Sequence, residues 1–381
     1  MKIVYCLNSI RYVGGVHRIT IVKANALSEI PDYELFIIVT DNKKGILTED
    51  LNSKVKLIDL DVNYYDDDWK SRWHNVKGII FKRRKHRKKL EKVLREIQPD
   101  IVISVNQSEK HILPRIKGKW KTIREFHLVS DYRQRFANTL FDKIMAWMGD
   151  FYDHHFTLKK YDHIVVLTNE DKEMNWKGWE KVSVIPNPRT FSSNKKSSLH
   201  HHIVMSAGRL SREKNYTDLI EAFGLVVKKH PDWTLEIYGE GPEYKLLEDK
   251  IASMHLESSI FLKGLSTNIK ENYLNASIAA FTSLHEGFLL SIVEAMECGV
   301  PVVSYASPCG PRDIIHDGKD GFLVEVGNKA ALADRICKLI DDTEKRKLLG
   351  QHAKDKAKDF TIESIVRQWC TLFESSDNAD F

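Results

Sequence analysis

Two glutamates stand eight positions apart in SLHEGFLLSIVEAMECGVPVVSY: Glu286, which is followed by Gly287, and Glu294, which lies in a helix-forming run. A carboxylate accepts hydrogen bonds from hydroxyl groups, and the amides at a helix start attract an anion. The pair therefore suits a place where an anion and hydroxyl groups are held together. The structural alternative is a capping box, with Ser291 as the N-cap and Glu294 returning to its amide. That accounts for Glu294 and leaves Glu286 unexplained. Upstream, GRLSREKNYTDLIEAF puts Arg209 and Lys214 between a strand and a helix. Cations there oppose the helix dipole unless an anion binds. TLEIYGEGPEYKLL places Gly239 and Gly241 after another strand. It matches the dinucleotide fingerprint only in part, because the third glycine is missing and a proline follows. Its glycines allow close approach of backbone.

The first half offers fewer such groups. IVYCLNSIRYVGGVHRIT sets Gly14 and Gly15 between strand and helix, where amides can meet a phosphate, and His17 follows. KTIREFHLVS places His127 after a strand, two residues beyond Glu125; a lone histidine is usually structural, and this one is a candidate for function. The run KRRKHRKK (Lys82, Arg83, Arg84, Lys85, Arg87, Lys88 and Lys89) opens an amphipathic helix, and Trp69, Trp73 and Phe81 precede it. Basic residues mixed with aromatics suit an anionic membrane surface, at about 1 kcal/mol per Lys or Arg. Nucleic acid is the competing partner, but no recognised binding motif accompanies the run, and no nucleic-acid partner is expected.

These candidates need strands that end beside them. Short Val- and Ile-rich runs alternate with helix-length segments, the pattern of parallel sheets built from βαβ units. KIVYCLN, ELFIIVT, VKLIDL, DIVISVN, KTIREFH, HIVVLT and VSVIP form one set; HIVMSAG, TLEIYG, SIFLKG, SIAAFTS and PVVSY form another. Between them Pro186 to His202 has the composition of a linker with no core to offer. At 381 residues two domains are expected, each binding at the carboxyl ends of its strands, with a cleft between them. No apolar run reaches the length of about 18 residues or more that a membrane span needs, and the amino terminus lacks the features of a signal peptide. Five cysteines without a C-x-x-C pair fit neither a disulfide framework nor a zinc site, which points to a reducing, cytoplasmic setting. A net charge of +5 is too mild to demand a polyanionic partner.

Taken in order, G-R-L-x-x-x-K, G-x-G-P and E-x7-E resemble the nucleotide-sugar-binding half of the retaining GT-B glycosyltransferases of family four. The resemblance implies an α/β fold of two Rossmann-like domains facing a central cleft: an acceptor-side domain at 1–190, a donor-binding domain at 191–360, and a terminal helix at 361–381 that packs back on the first. It implies that Arg209, Lys214, Gly15 and the amides of Leu289 and Leu290 hold the donor diphosphate. Glu294 then takes the ribose, Gly239 and the main chain near Leu265 in KGLSTNI take the nucleoside, and Glu286, Gly287 and Phe288 take the sugar. His127 and Glu286 are the implied catalytic residues. The family more often has Gly or Pro where this chain has Leu289, which bears on the sugar. No metal or cofactor is implied, because cations and a helix start do a divalent ion's work; Asp66, Asp67 and Asp68 lie in a polar loop of the first half and read as solvent-exposed.

The implied reaction moves a sugar, from a UDP-sugar before a GDP-sugar, to a glycan or lipid-linked acceptor in cell-surface glycan synthesis, with the enzyme peripheral on the inner face of the membrane. The alternatives are a GT-B nucleotide-sugar epimerase and a non-catalytic basic membrane- or RNA-binding protein.

Overall fold

The computed structural model describes every residue except 12–14, 42–49, 65–71, 106, 130, 136, 138 and 378–381. Gly14, Asp66, Asp67, Asp68 and Trp69 are therefore outside the described residues, as is the side chain of Trp73. The chain divides into two compact units. One comprises Met1–Leu167, Met174–Pro188 and Ile362–Phe381; the other comprises Thr168–Glu173 and Arg189–Thr361.

The first unit holds a parallel sheet of seven strands: β1 (Lys2–Leu7), β2 (Glu34–Val39), β3 (Val55–Asp59), β4 (Ile101–Ser104), β5 (Lys121–Glu125), β6 (His163–Val166) and β7 (Val182–Val184). Their spatial order is β3-β2-β1-β4-β5-β6-β7. Side chains alternate across the sheet, so Ile3, Tyr5 and Leu7 enter one core while Val4 and Cys6 enter the other. Helices cover both faces, which is why these strands read as unbroken apolar runs. On the first face the helix Ile362–Asp377 supplies Trp369 and Phe373, both essentially buried, against β1 and the helix Gly15–Leu27.

The second unit repeats the plan with β8 (Ile203–Ala207), β9 (Thr234–Tyr238), β10 (Ile260–Gly264), β11 (Ile278–Phe281), β12 (Val302–Tyr305) and β13 (Gly321–Val324), in the order β10-β9-β8-β11-β12-β13. The order reverses between β8 and β11, which pair through Ile278 to Val204 and Ala279 to Met205. At such a switch point the two following loops diverge and leave room for a ligand. Two features depart from expectation. β13 is a strand of four residues that begins at a glycine, too short to register as an apolar run. The segment expected to be a bare linker is packed onto this unit: Leu199 is buried, Ser197 Oγ donates to Ala276 O, and Arg189 pairs with Glu297. Its polar residues bond to backbone, so polarity does not mark it as unpacked.

Candidate active site

The chemistry of the second unit gathers where β8 and β11 end. After β8 the chain passes Gly208 and Arg209 and makes one short turn at Arg212–Lys214. Asn215 then takes a left-handed conformation (φ 51°) and starts the helix Tyr216–Val227. After β11 come Glu286, Gly287 and Phe288, then the helix Leu290–Glu297. Neutral hydrogen bonds tie the two loops. Leu284 N donates to Glu213 O (2.8 Å), and Thr282 Oγ1 lies 3.1 and 2.9 Å from the carbonyls of Lys214 and Asn215. Lys214 and Glu286 are thereby brought together, Nζ to Oε1 2.6 Å, with both side chains still partly exposed. Two glycines leave room for this: a Cβ at Gly208 would stand 3.3 Å from Lys214 Cε, and one at Gly310 would stand 3.3 Å from Glu286 Cβ. Arg209 is exposed, and among the described residues no carboxylate pairs with it.

The helix Leu290–Glu297 is not started by a capping box. Leu289 is its N-cap, with no side-chain hydrogen bond, and its first turn carries no acid. Ser291 lies inside the helix and its Oγ donates to Ala207 O at the end of β8 (2.9 Å). Glu294, 8% exposed, accepts from Thr190 Oγ1 at 2.5 Å. Phe288 and Leu289 are buried, and Phe288 meets Phe360 edge-on at 5.6 Å. Leu290 N donates to Phe288 O in a tight turn, so that amide is engaged internally.

Gly239 and Gly241 have a structural reason of their own. A Cβ at Gly239 would fall 1.9 Å from Gly208 O, and one at Gly241 2.2 Å from Leu210 O. They let this turn lie against the backbone that carries Arg209, with Gly208 N bonded to Tyr238 O and Leu210 N to Glu240 O. Beyond it Glu240, Gly241, Tyr244, Leu262, Lys263 and Gly264 line a cavity of about 570 Å³, and Leu265 is exposed next to it.

In the first unit, His127 follows β5 and its side chain is almost wholly enclosed. Nε2 stands 3.1 Å from Glu125 Oε1, and among the described residues Nδ1 has no hydrogen-bond partner. Glu125 is held by Lys23, a residue that gives no signal in sequence because its partner lies 102 positions away. Lys23 is buried on the helix Gly15–Leu27, its Nζ 4.7 Å from the centre of the Trp369 ring. Burial pushes the Glu125 carboxyl up, but the neighbouring Lys23 and His127 outweigh it and leave the carboxyl below its usual range. Burial pushes His127 down, and Glu125 only partly opposes this; burial likewise lowers Lys23, against the pull of Glu125. His17 lies close enough to feel His127; burial first and then that neighbour lower its pKa. Gly15 is exposed as the first residue of its helix.

The basic run on the helix Arg72–Ile97 does not form one surface. Lys82, Lys85 and Lys89 donate to the carbonyls of Asn63, Asp61 and Leu60 and pin that loop. Arg83, Arg84, Arg87 and Lys88 are exposed. The three lysines are thus engaged with backbone, and only the arginines and Lys88 remain as a charged surface.

The model of the family described as glycosyl transferases group 1 matches residues 189–356, the stretch that contains both loops and the helix Leu290–Glu297. That stretch is similar to a group 1 glycosyltransferase domain, and the two-sheet architecture is that of the GT-B fold. An uncharacterized glycosyltransferase of Haemophilus influenzae is 24% identical over 384 aligned positions, spanning 97% of this chain and 98% of that one. The poly(ribitol-phosphate) alpha-N-acetylglucosaminyltransferase of Staphylococcus aureus is 33% identical over 223 residues, 57% of this chain. This chain spans less than half the length of several curated relatives that it matches, 44% in that case. Among solved structures, S. aureus TarM in complex with fondaparinux, α-GlcNAc-glycerol and UDP superposes with a TM-score of 0.74 at 18% identity, covering 98% of this chain and 99% of that one.

Proposed function

We propose that this glycosyltransferase moves a sugar from a nucleoside diphosphate donor, with UDP preferred, to a glycan or lipid-linked acceptor in cytoplasmic steps of cell-surface glycan synthesis, with retention at the anomeric carbon. The observation that carries the proposal is the convergence of Arg209, the Lys214–Glu286 pair and the uncapped helix start at Leu289 on the loops after β8 and β11. Arg209 and Lys214 take the diphosphate, whose negative charge grows as the bond from the anomeric carbon to the phosphate oxygen breaks. The Leu289 amide adds a neutral donor at the positive end of the helix. Glu294 accepts the ribose hydroxyls, and the cavity beside Gly241 and Leu265 takes the base, its size being that of a small-molecule site. Glu286, Gly287 and Phe288 border the sugar. In the first unit, Gly15 is assigned to phosphate and His127, through Nδ1, to the sugar and the acceptor hydroxyl. The relatives named for poly(ribitol-phosphate) glycosylation and for UDP binding support the acceptor class and the nucleotide.

Thermal-shift titration with UDP, GDP and ADP tests the donor site, and UDP release on adding glycan or lipid acceptor fractions tests the transfer. UDP should raise the melting temperature, by about 2.7 kcal/mol of stabilisation at a hundred times its Kd. No shift with any nucleotide or nucleotide sugar at millimolar concentration overturns the donor site. Sugar interconversion without UDP release replaces transfer with epimerisation.

A further inference from the structure

The helix Leu290–Glu297 carries two buried carboxylates three positions apart, Glu294 at 8% and Glu297 at 2% exposure. Residues at that spacing are neighbours on a helix surface. Both meet the same short stretch, residues 189–193, where the second unit resumes after Pro188. Glu297 is matched by charge: Arg189 pairs with it, and Lys354 Nζ lies 3.9 Å away. It also accepts from the Ser193 amide at 2.7 Å. Glu294 is met by a neutral group of that stretch, the Thr190 hydroxyl, which donates to its Oε1 at 2.5 Å.

Thr190 is held on both sides. Before it, Arg189 N donates to Phe360 O at 2.7 Å while the guanidinium holds Glu297. After it, Lys354 Nζ donates to the carbonyls of both Ser193 and Glu297, 2.7 Å in each case. A β-branched side chain is stiff at χ1, so a threonine on a fixed backbone places its hydroxyl narrowly. The glutamate opposite has no such order of its own. The last torsion of Glu is broad, and the plane of its carboxylate is set by the hydrogen bonds it accepts. Two adjacent ribose hydroxyls can meet one carboxylate only if that plane is fixed.

We propose that Thr190 is a positioning residue for the nucleotide: its hydroxyl orients the Glu294 carboxylate towards the ribose, and the Arg189–Glu297 pair is the anchor that keeps Thr190 in place. The proposal rests on the assignment of Glu294 to the ribose and adds the residue on which that contact depends. The two acids divide by their partners. Glu297 cannot turn to a ligand without leaving the charge of Arg189 uncompensated, so it serves as anchor. A hydroxyl, in contrast, orients a carboxylate without neutralising it, and a charged acceptor makes the stronger hydrogen bond to a sugar hydroxyl.

The test is calorimetric titration of the full chain with UDP and with 2′,3′-dideoxy-UDP, which lacks both ribose hydroxyls. Wild type should prefer UDP by about tenfold or more, since a site built for hydroxyls rejects an analogue without them. Thr190→Val keeps the shape and removes the donor. Its affinity for UDP should fall by about fivefold while dideoxy-UDP binds as it does to wild type, so the preference shrinks to about twofold. Its kcat at saturating donor should stay within about twofold of wild type, because the ribose is held alike in ground and transition state. Thr190→Ser returns the hydroxyl and should recover most of the preference. A wild type that binds UDP without preferring it to dideoxy-UDP overturns the ribose assignment of Glu294, and this inference with it. A wild type with the preference and a Thr190→Val variant that retains it in full overturn the role of Thr190 alone. So does an equal loss of both ligands in Thr190→Val, or a Thr190→Ser variant no better than Thr190→Val, either of which would make the bond to Glu294 a packing contact.

Discussion

The charged groups at the end of β5 and those after β8 and β11 are arranged in opposite ways. In the first unit Lys23 and Glu125 are each only 1% exposed, closed over by Tyr5 and Trp369. In the second unit Lys214 and Glu286 keep 17 and 13% of their surface, and Arg209 is exposed. A sealed pair has no other partner to turn to: it orders the residues around it and sets the state of His127. An open pair can exchange, because a partly hydrated Lys214 can change partners at little cost in desolvation, as the proposed diphosphate site requires. The difference is one between a sealed pair and a hydrated one, and it shows in how each responds to loss of one partner.

The largest effect is expected at Lys23. Lys23→Met leaves Glu125 buried without its cation, which costs about 3–5 kcal/mol of unfolding free energy, and Lys23→Met/Glu125→Gln should recover much of it. Lys214→Met should cost less than about 1 kcal/mol, since that pair remains open to water. Urea unfolding of the three variants decides. Similar losses for Lys23→Met and Lys214→Met would erase the contrast between the units.

Acid should act on the first unit in the same sense. The folded pKa of Glu125 lies below its ordinary 4.5, so its contribution is complete above about pH 4.5 and drains away as pH falls towards the folded value. His127 is also depressed, from 6.5, because burial favours the neutral ring. Its contribution is complete above about pH 6.5 and declines as pH falls through its lower folded value. The urea midpoint should therefore drop in two stages on acidification. Glu125→Gln should flatten the lower stage, and an unchanged profile in that variant would show that the stage arises elsewhere.

On the open side, the two glutamates should part by role. If Glu294 holds the ribose as proposed, it serves ground and transition state alike, so Glu294→Gln should lower UDP affinity by about tenfold and the loss should appear in KM. Glu286→Gln leaves that contact intact and weakens the hold on Lys214, so UDP should bind within about threefold of wild type while kcat falls by tenfold or more. Calorimetric titration with UDP and initial rates on both variants separate these outcomes. A Glu286→Gln enzyme with full kcat would place that carboxylate outside the chemistry.

The open site was the more legible in sequence, because Arg209, Lys214, Glu286 and Glu294 all follow strands of a recognisable set and the spacing survives as side-chain identity. The sealed pair was not. Lys23 sits in IVKANAL, where a single lysine reads as the wet edge of an amphipathic helix, and only the pairing of β1 with β4 and of β4 with β5 brings it to Glu125. The basic run reads as the start of an amphipathic helix, but nothing in its pattern shows that backbone carbonyls take Lys82, Lys85 and Lys89. β13, with four residues and a glycine start, carries too little pattern to be seen.

The smallest expected effect concerns how the open site is held, and it turns on Ser291. SIVE reads as a capping box, yet the helix begins earlier and the Ser291 hydroxyl instead bonds the carbonyl of Ala207, tying the helix to the end of β8. Both arrangements predict that Ser291→Ala costs about 1 kcal/mol, through a lost cap or a lost hydrogen bond. Glycine distinguishes them. At an N-cap, Gly is nearly as good as Ser, so Ser291→Gly would cost only a few tenths of a kcal/mol and would be milder than Ser291→Ala. Inside a helix, Gly is about 1 kcal/mol worse than Ala, so Ser291→Gly should be the more damaging. The tether also predicts a functional trace that a cap does not: both variants should loosen the loops around Lys214 and Glu286 and weaken UDP binding by about two- to threefold. If Ser291→Gly proves more stable than Ser291→Ala, the bond to Ala207 is not what holds the loops after β8 and β11 together.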